Sequence, residues 1–212
     1  MKRKPYLIMV LFAFVFSFSS CKVSQDYVQH ISKKEDIVAP KTKKVIVFAT
    51  DDVRIHEFKK TFEKNFKDKR YFTENYLKEF SQKLYANDVF SRISIDTNNF
   101  EYSSVDKSDA DYVIHFSNFE IKNRVEWSNT GGMGMNGMGG MSNSTSVEYC
   151  IINVKVEVYD AKSDKEILDF VAIGEDSVFL FNFTKTFQET KERSINHIVN
   201  YLKTGKITYD KY

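Results

Sequence analysis

ADYVIHFSNFEIKNRVEW, residues 110–127, decides the fold. Within it Phe119, Ile121, Val125 and Trp127 share one phase of a two-residue period, and Glu120, Lys122, Arg124 and Glu126 hold the other. Successive side chains of a strand point to opposite faces, so the pattern predicts a strand with one buried and one wetted face. Ile152, Val154, Val156 and Val158 repeat it against Lys155 and Glu157. The simplest arrangement pairs the two antiparallel, closed across residues 128–146. Asp160-Ala161-Lys162-Ser163-Asp164 is turn chemistry, and Ile167–Ile173 returns as a further strand.

Upstream, KVIVFAT at 44–50 is a short continuous apolar run suited to a buried strand. Asp51 and Asp52 offer an N-cap for a helix carrying Ile55, Phe58, Phe62 and Phe66 at helical spacing. After a break near Asp68–Arg70, Thr73 is the next cap, ahead of a stripe of Tyr76, Leu77, Phe80 and Leu84. Ile93 and Ile95 share a phase in a second strand over Val89–Asp96, and residues 98–109 read as a turn-rich surface loop. Thr186-Phe187-Gln188-Glu189 has capping-box spacing; Ile195, Ile198, Val199 and Leu202 mark the inward face of a last helix, and Gly205 its stop. Together these predict an α/β (α+β) domain over residues 44–205, with residues 206–212 as a tail. Its single mixed, mostly antiparallel sheet carries two or three helices packed on one face.

At the amino terminus Lys2-Arg3-Lys4 precedes an apolar run from Tyr6 to Phe18, then Ser19-Ser20-Cys21. These are the parts of a bacterial secretory signal. Phe18-Ser19-Ser20-Cys21 resembles the lipobox of bacterial lipoproteins, with Phe18 where Leu, Val or Ile is common. The resemblance implies that residues 1–20 are removed and that the sulfur of Cys21 carries diacylglycerol, anchoring the chain to a membrane. A plain secretory signal and an uncleaved membrane helix are the alternatives, although a spanning helix needs about 20 apolar residues. Lys22 stands where inner-membrane lipoproteins often carry Asp, so the resemblance points to the outer membrane, with the domain facing the periplasm. Residues 21–43, polar and ending near Pro40, read as a flexible tether.

The order of strand, helical segment, long hairpin with the turn YDAKSDKEI (residues 159–167) and closing amphipathic helix resembles small envelope lipoproteins. These are of the curli-assembly and penicillin-binding-protein-activator type; Asp164 stands where they usually have Gly. The resemblance implies a non-catalytic module that docks on another envelope protein.

Without Lys2, Arg3 and Lys4 the chain holds 28 Lys and Arg against 29 Asp and Glu, a balance that argues against a nucleic-acid partner. With Cys21 acylated, Cys150 is the one remaining thiol; its apolar surroundings make it a small core residue. Residues 128–146, SNTGGMGMNGMGGMSNSTS, carry no charge, six of the eight glycines, and Met133, Met135, Met138 and Met141. Three readings compete: a low-complexity insertion, a partner or lipid contact made by adaptable thioethers together with Trp127, and capture of Cu(I), which thioethers select. No other cofactor is expected. His30, His56, His115 and His197 lack short metal spacing, and no G-x-S-x-G, phosphate loop or dinucleotide fingerprint is present. Asp51 and Asp52 are the candidates for a hydrolase-type pair at a strand end. Capping accounts for them without chemistry, so the chain is expected not to be an enzyme.

Overall fold

The alternating run at 112–130 becomes an inner strand of one mixed sheet in the computed structural model, which describes residues 27–37, 40–130, 143–178 and 181–207. In chain order the elements are β1 (Val28–Lys33), β2 (Lys44–Ala49), β3 (Val53–Ile55), α1 (Lys59–Asn65), α2 (Lys69–Ala86) and β4 (Arg92–Asp96). They continue with β5 (Tyr112–Thr130), β6 (Asn143–Asp160), β7 (Lys165–Ser177) and α3 (Phe183–Thr204). The sheet runs β1-β7-β6-β5-β2-β4, with β3 also beside β5. β2 is parallel to β4 and β5, and β3 to β5, whereas the long β5–β6 and β6–β7 ladders and the β1–β7 edge are antiparallel. The predicted mixed sheet with helices on one face is therefore what forms.

β5 carries apolar residues in two phases, Ile114 and Phe116 in one and Phe119 and Ile121 in the other, yet all four are buried in the main core. A bulge resolves this. Phe116 pairs with Val156 and Asn118 with Lys155, so Ser117 is the extra residue that flips the phase. Against this face pack the helices, through an aromatic core in which Phe72–Phe119, Tyr76–Phe119 and Phe80–Phe116 meet edge to face at 5.4, 5.1 and 4.9 Å. α3 closes onto β7 at Gly174, where a Cβ would lie 2.0 Å from the Thr190 carbonyl oxygen. Only a residue without a side chain permits that approach. α3 stops at Gly205, whose φ of 64° is left-handed as the sequence predicts.

Several boundaries differ from the sequence reading. Val28–Lys33, inside the expected tether of 21–43, forms the edge strand β1. Only Val28 in it is buried; its pairing is through backbone, which leaves no hydrophobic pattern to read. Asp51 and Asp52 do not cap a helix: β3 follows them, and α1 starts only after Phe58, whose φ of 61° reverses the chain. The expected cap Thr73 lies inside α2, where its hydroxyl donates to the Arg70 carbonyl at 2.9 Å, and Asp68 caps instead by accepting from the Tyr71 N–H at 2.7 Å. Asn182 likewise caps α3, four residues before Thr186. The loop at 98–109 is not wholly superficial, since Val105 is buried with Phe48 and Val113 on the side of the sheet away from the helices.

Candidate functional site

Beyond that cluster and a second one in which Tyr27 packs on Ile151 and Ile173, no helix covers the sheet face opposite α1–α3 among the described residues. The polar phase of β5 and β6 lines it, because pairing Glu120 with Asn153 and Arg124 with Tyr149 brings facing side chains within reach. The result is a cleft of about 1000 Å³ that includes Arg54, Asn118, Lys122, Asn153, Lys155 and Glu157.

Three knots of polar contacts hold it. In the first, Glu157 collects the Ser117 hydroxyl at 2.8 Å, the Tyr159 hydroxyl at 2.9 Å and the Lys155 ammonium at 2.9 Å, with His115 Nδ1 at 3.1 Å. The His115 bond, reinforced by Lys155 and Ser117 against the cost of burial, holds the Glu157 carboxyl far below the usual carboxylate range. His115 itself stacks flat on Phe48 at 4.2 Å. In the second, Glu120 accepts from Asn153 at 2.7 Å and pairs with Lys122 at 3.1 Å; burial raises its carboxyl, and those two donors outweigh burial to lower it. In the third, Arg124 bonds Glu175 and Glu126 and lies 4.4 Å above the Tyr149 ring.

Ser117, His115 and Glu157 have the composition of a nucleophile, base and acid, but their wiring differs from a triad. Serine and histidine both donate to the one carboxylate, and His115 Nε2, which would have to receive the serine proton, is buried without a hydrogen-bond partner. What the face offers is a dense set of donors and acceptors fixed on rigid strands, suited to hydrogen-bonding a polar ligand or protein surface.

The other predicted residues are dispersed. The Asp52 carboxylate accepts from Asn118 at 2.8 Å and Arg54 at 3.0 Å, which lowers its pKa, whereas Asp51 is exposed. His197 is buried in α3, with Nδ1 2.7 Å from the Ile173 carbonyl and its ring stacked on Tyr27; His56 Nε2 lies 3.4 Å from Glu120; His30 sits in β1. Cys150 is buried, which pushes its thiol up to about 12. Trp127 is 71% exposed near the outer end of the β5–β6 hairpin. Cys21 and the four methionines Met133, Met135, Met138 and Met141 lie outside the described residues. Among the described residues no group of three or more His, Cys, Asp or Glu could hold a metal, and no helix is long and apolar enough to cross a membrane. The knots around Glu157 and Arg124 were missed by sequence reasoning. The alternating charges were its signal, but only the register shows which of them meet.

No family model matches the chain, and no curated protein matches it. Among solved structures it is similar to a neuraminyllactose-binding hemagglutinin homolog from Helicobacter pylori, at 15% identity over 82% of this chain and 88% of that one, with a TM-score of 0.47. It is similar also to PelC from Paraburkholderia phytofirmans, a dodecamer, at 10% identity over 84% and 98%, with a TM-score of 0.44. A hypothetical protein from Chlamydia trachomatis follows at 11% identity over 75% and 98%, with a TM-score of 0.37.

Proposed function

We propose that this chain is a lipid-anchored, non-catalytic binding module of the bacterial cell envelope, facing the periplasm from the outer membrane, and that the open sheet face takes another envelope protein. The observation that carries the reading is the contrast between the two faces of the sheet. One is sealed by three helices over an aromatic core, and the other is left as a wide cleft whose charged side chains neutralise one another. Such a surface gives specificity through hydrogen bonds and complementary charge rather than through a single deep pocket. The signal-like start ending in Cys21 supports the address.

The test is co-purification of the native lipoprotein from host membranes, beside an Arg54→Glu, Lys122→Glu variant that keeps its thermal midpoint. A partner held by the native chain and lost by the variant supports the reading. Equal recovery from both, or no partner together with turnover of a small substrate, overturns it.

A further inference from the structure

β3 ends its pairing at Ile121 and β7 ends at Tyr149, so past Glu126 and Val147 the β5–β6 ladder is a two-stranded ribbon among the described residues. A ribbon of this kind is marginal in water without a further surface to lie on. Large apolar side chains gather at this same end of the domain: Trp127 at 71% exposed on the ribbon, Val125 at 42% and Val147 at 40% at its base, and Phe181 at 85% in the β7–α3 connection. That connection is tied to the hairpin by the Val178 N–H, which donates to the Glu148 carbonyl at 2.7 Å. Phe181 also holds a left-handed φ of 59°, an uncommon conformation for a bulky residue.

The chain before β1 arrives from that same direction. β1 runs from Val28 beside Ala172 to Lys33 beside Leu168, away from the hairpin end, and the Tyr27 carbonyl accepts from the Ile173 N–H at the level of Asn153 and Glu120. From Cys21 to Tyr27 is six residues, a reach of at most about 21 Å. From Glu120 to Trp127 is seven residues of strand, about 24 Å. A bilayer holding acyl chains on Cys21 therefore lies no farther out along the strands than the level of Trp127.

We infer that the hairpin end, through Trp127, Val125 and Phe181, docks on the surface of the bilayer that anchors Cys21, giving the domain a fixed orientation with its polar cleft standing clear of the lipid. The inference rests on the anchor proposed above. Tryptophan suits the site, because its ring is amphipathic and concentrates at the membrane–water interface.

Trp127 is the one tryptophan in the chain, so its emission reports the site directly. The full-length protein purified from its host would be reconstituted in phosphatidylethanolamine–phosphatidylglycerol vesicles with lipids brominated at shallow or deep acyl positions. Docking gives a blue-shifted emission quenched most by the shallow label. A Val125→Ser, Phe181→Ser variant should lose at least about half of that quenching, and unlipidated chains carrying it should bind vesicles on the order of tenfold more weakly than unlipidated chains without it. Emission that stays water-exposed and unquenched in floated vesicles overturns the inference, as does a blue shift that needs no lipid and grows with protein concentration. Mass spectrometry of the same sample reads the anchor separately. A bare Cys21 removes the anchor reading, and quenching measured on that chain then decides the docking by the same criteria.

Discussion

Glu157 shows how far a single side chain on the open face is committed to structure. Its four donors bind the ionised form, so the folded carboxyl releases its proton more readily than the unfolded one. The stability this gives is fully present above the ordinary glutamate value of about 4.3 and is lost as pH falls below it. Urea midpoints measured from pH 7 down to pH 3 should fall steeply in the wild type. In Glu157→Gln the slope should be shallower, and the variant should start about 2 kcal/mol less stable at pH 7, since bonds to an ionised acceptor are the strong ones. A pH slope unchanged in that variant would show that the titration lies elsewhere. Gly174 is committed in another way. A methyl placed there meets backbone of α3 at Thr190 and Ser194, neither of which is a flexible side-chain tip. Gly174→Ala should therefore cost about 2–3 kcal/mol in chemical denaturation, where an exposed glycine would gain from the same change.

The hairpin is the element the sequence states most clearly, and the bulge in it is the detail that alternation hides. Phases on either side of Ser117 each look like a regular strand, and the structure keeps both on the core by inserting that residue. Deleting Ser117 should merge the two phases into one regular strand that still holds Phe119 and Ile121 on the core, so the shortened chain should keep cooperative folding, read as a sigmoidal denaturation curve; loss of that curve would mean that the bulge itself is required. Ser117→Ala should cost only about 1 kcal/mol, the worth of its bond to Glu157. The same logic marks what was legible and what was not. The buried strands, the helical stripes, the turn before β7 and the stop at Gly205 each carry a local signature. At Asp164, where the resembling lipoproteins have Gly, the turn does use a left-handed φ of 55°, held by bonds from the Tyr102 hydroxyl and the Lys107 ammonium. β1 carries no such signature, because an edge strand that pairs by backbone alone leaves its side chains free to vary. The cleft was half legible: its charged positions were visible as a wetted face, but their pairing depends on register between strands about thirty residues apart.

Across the whole molecule the cleft is positioned by the opposite layer, where α2 and α3 must hold together over the sheet. Their contact contains a buried cation, Lys191, whose ammonium reaches Asn75 at 2.6 Å and Glu79 at 2.8 Å and lies 5.5 Å from the Phe66 ring centre. Glu79 is 37% exposed, so water can replace its partner, whereas nothing replaces Glu79 around Lys191, which is 1% exposed. The two truncations should therefore differ in size. Glu79→Ala leaves a buried ammonium with one neutral acceptor and should cost about 2 kcal/mol, the lower side of the range for breaking a buried pair because one partner was partly hydrated. Lys191→Met fills the same volume with an apolar chain and should stay within about 1 kcal/mol of wild type. The double variant should match Lys191→Met alone, because once the cation is gone Glu79 has no charge left to satisfy. Denaturation midpoints for the four proteins decide it. A double variant as unstable as the sum of the two singles would mean that Glu79 supports the helix pair through packing rather than through Lys191.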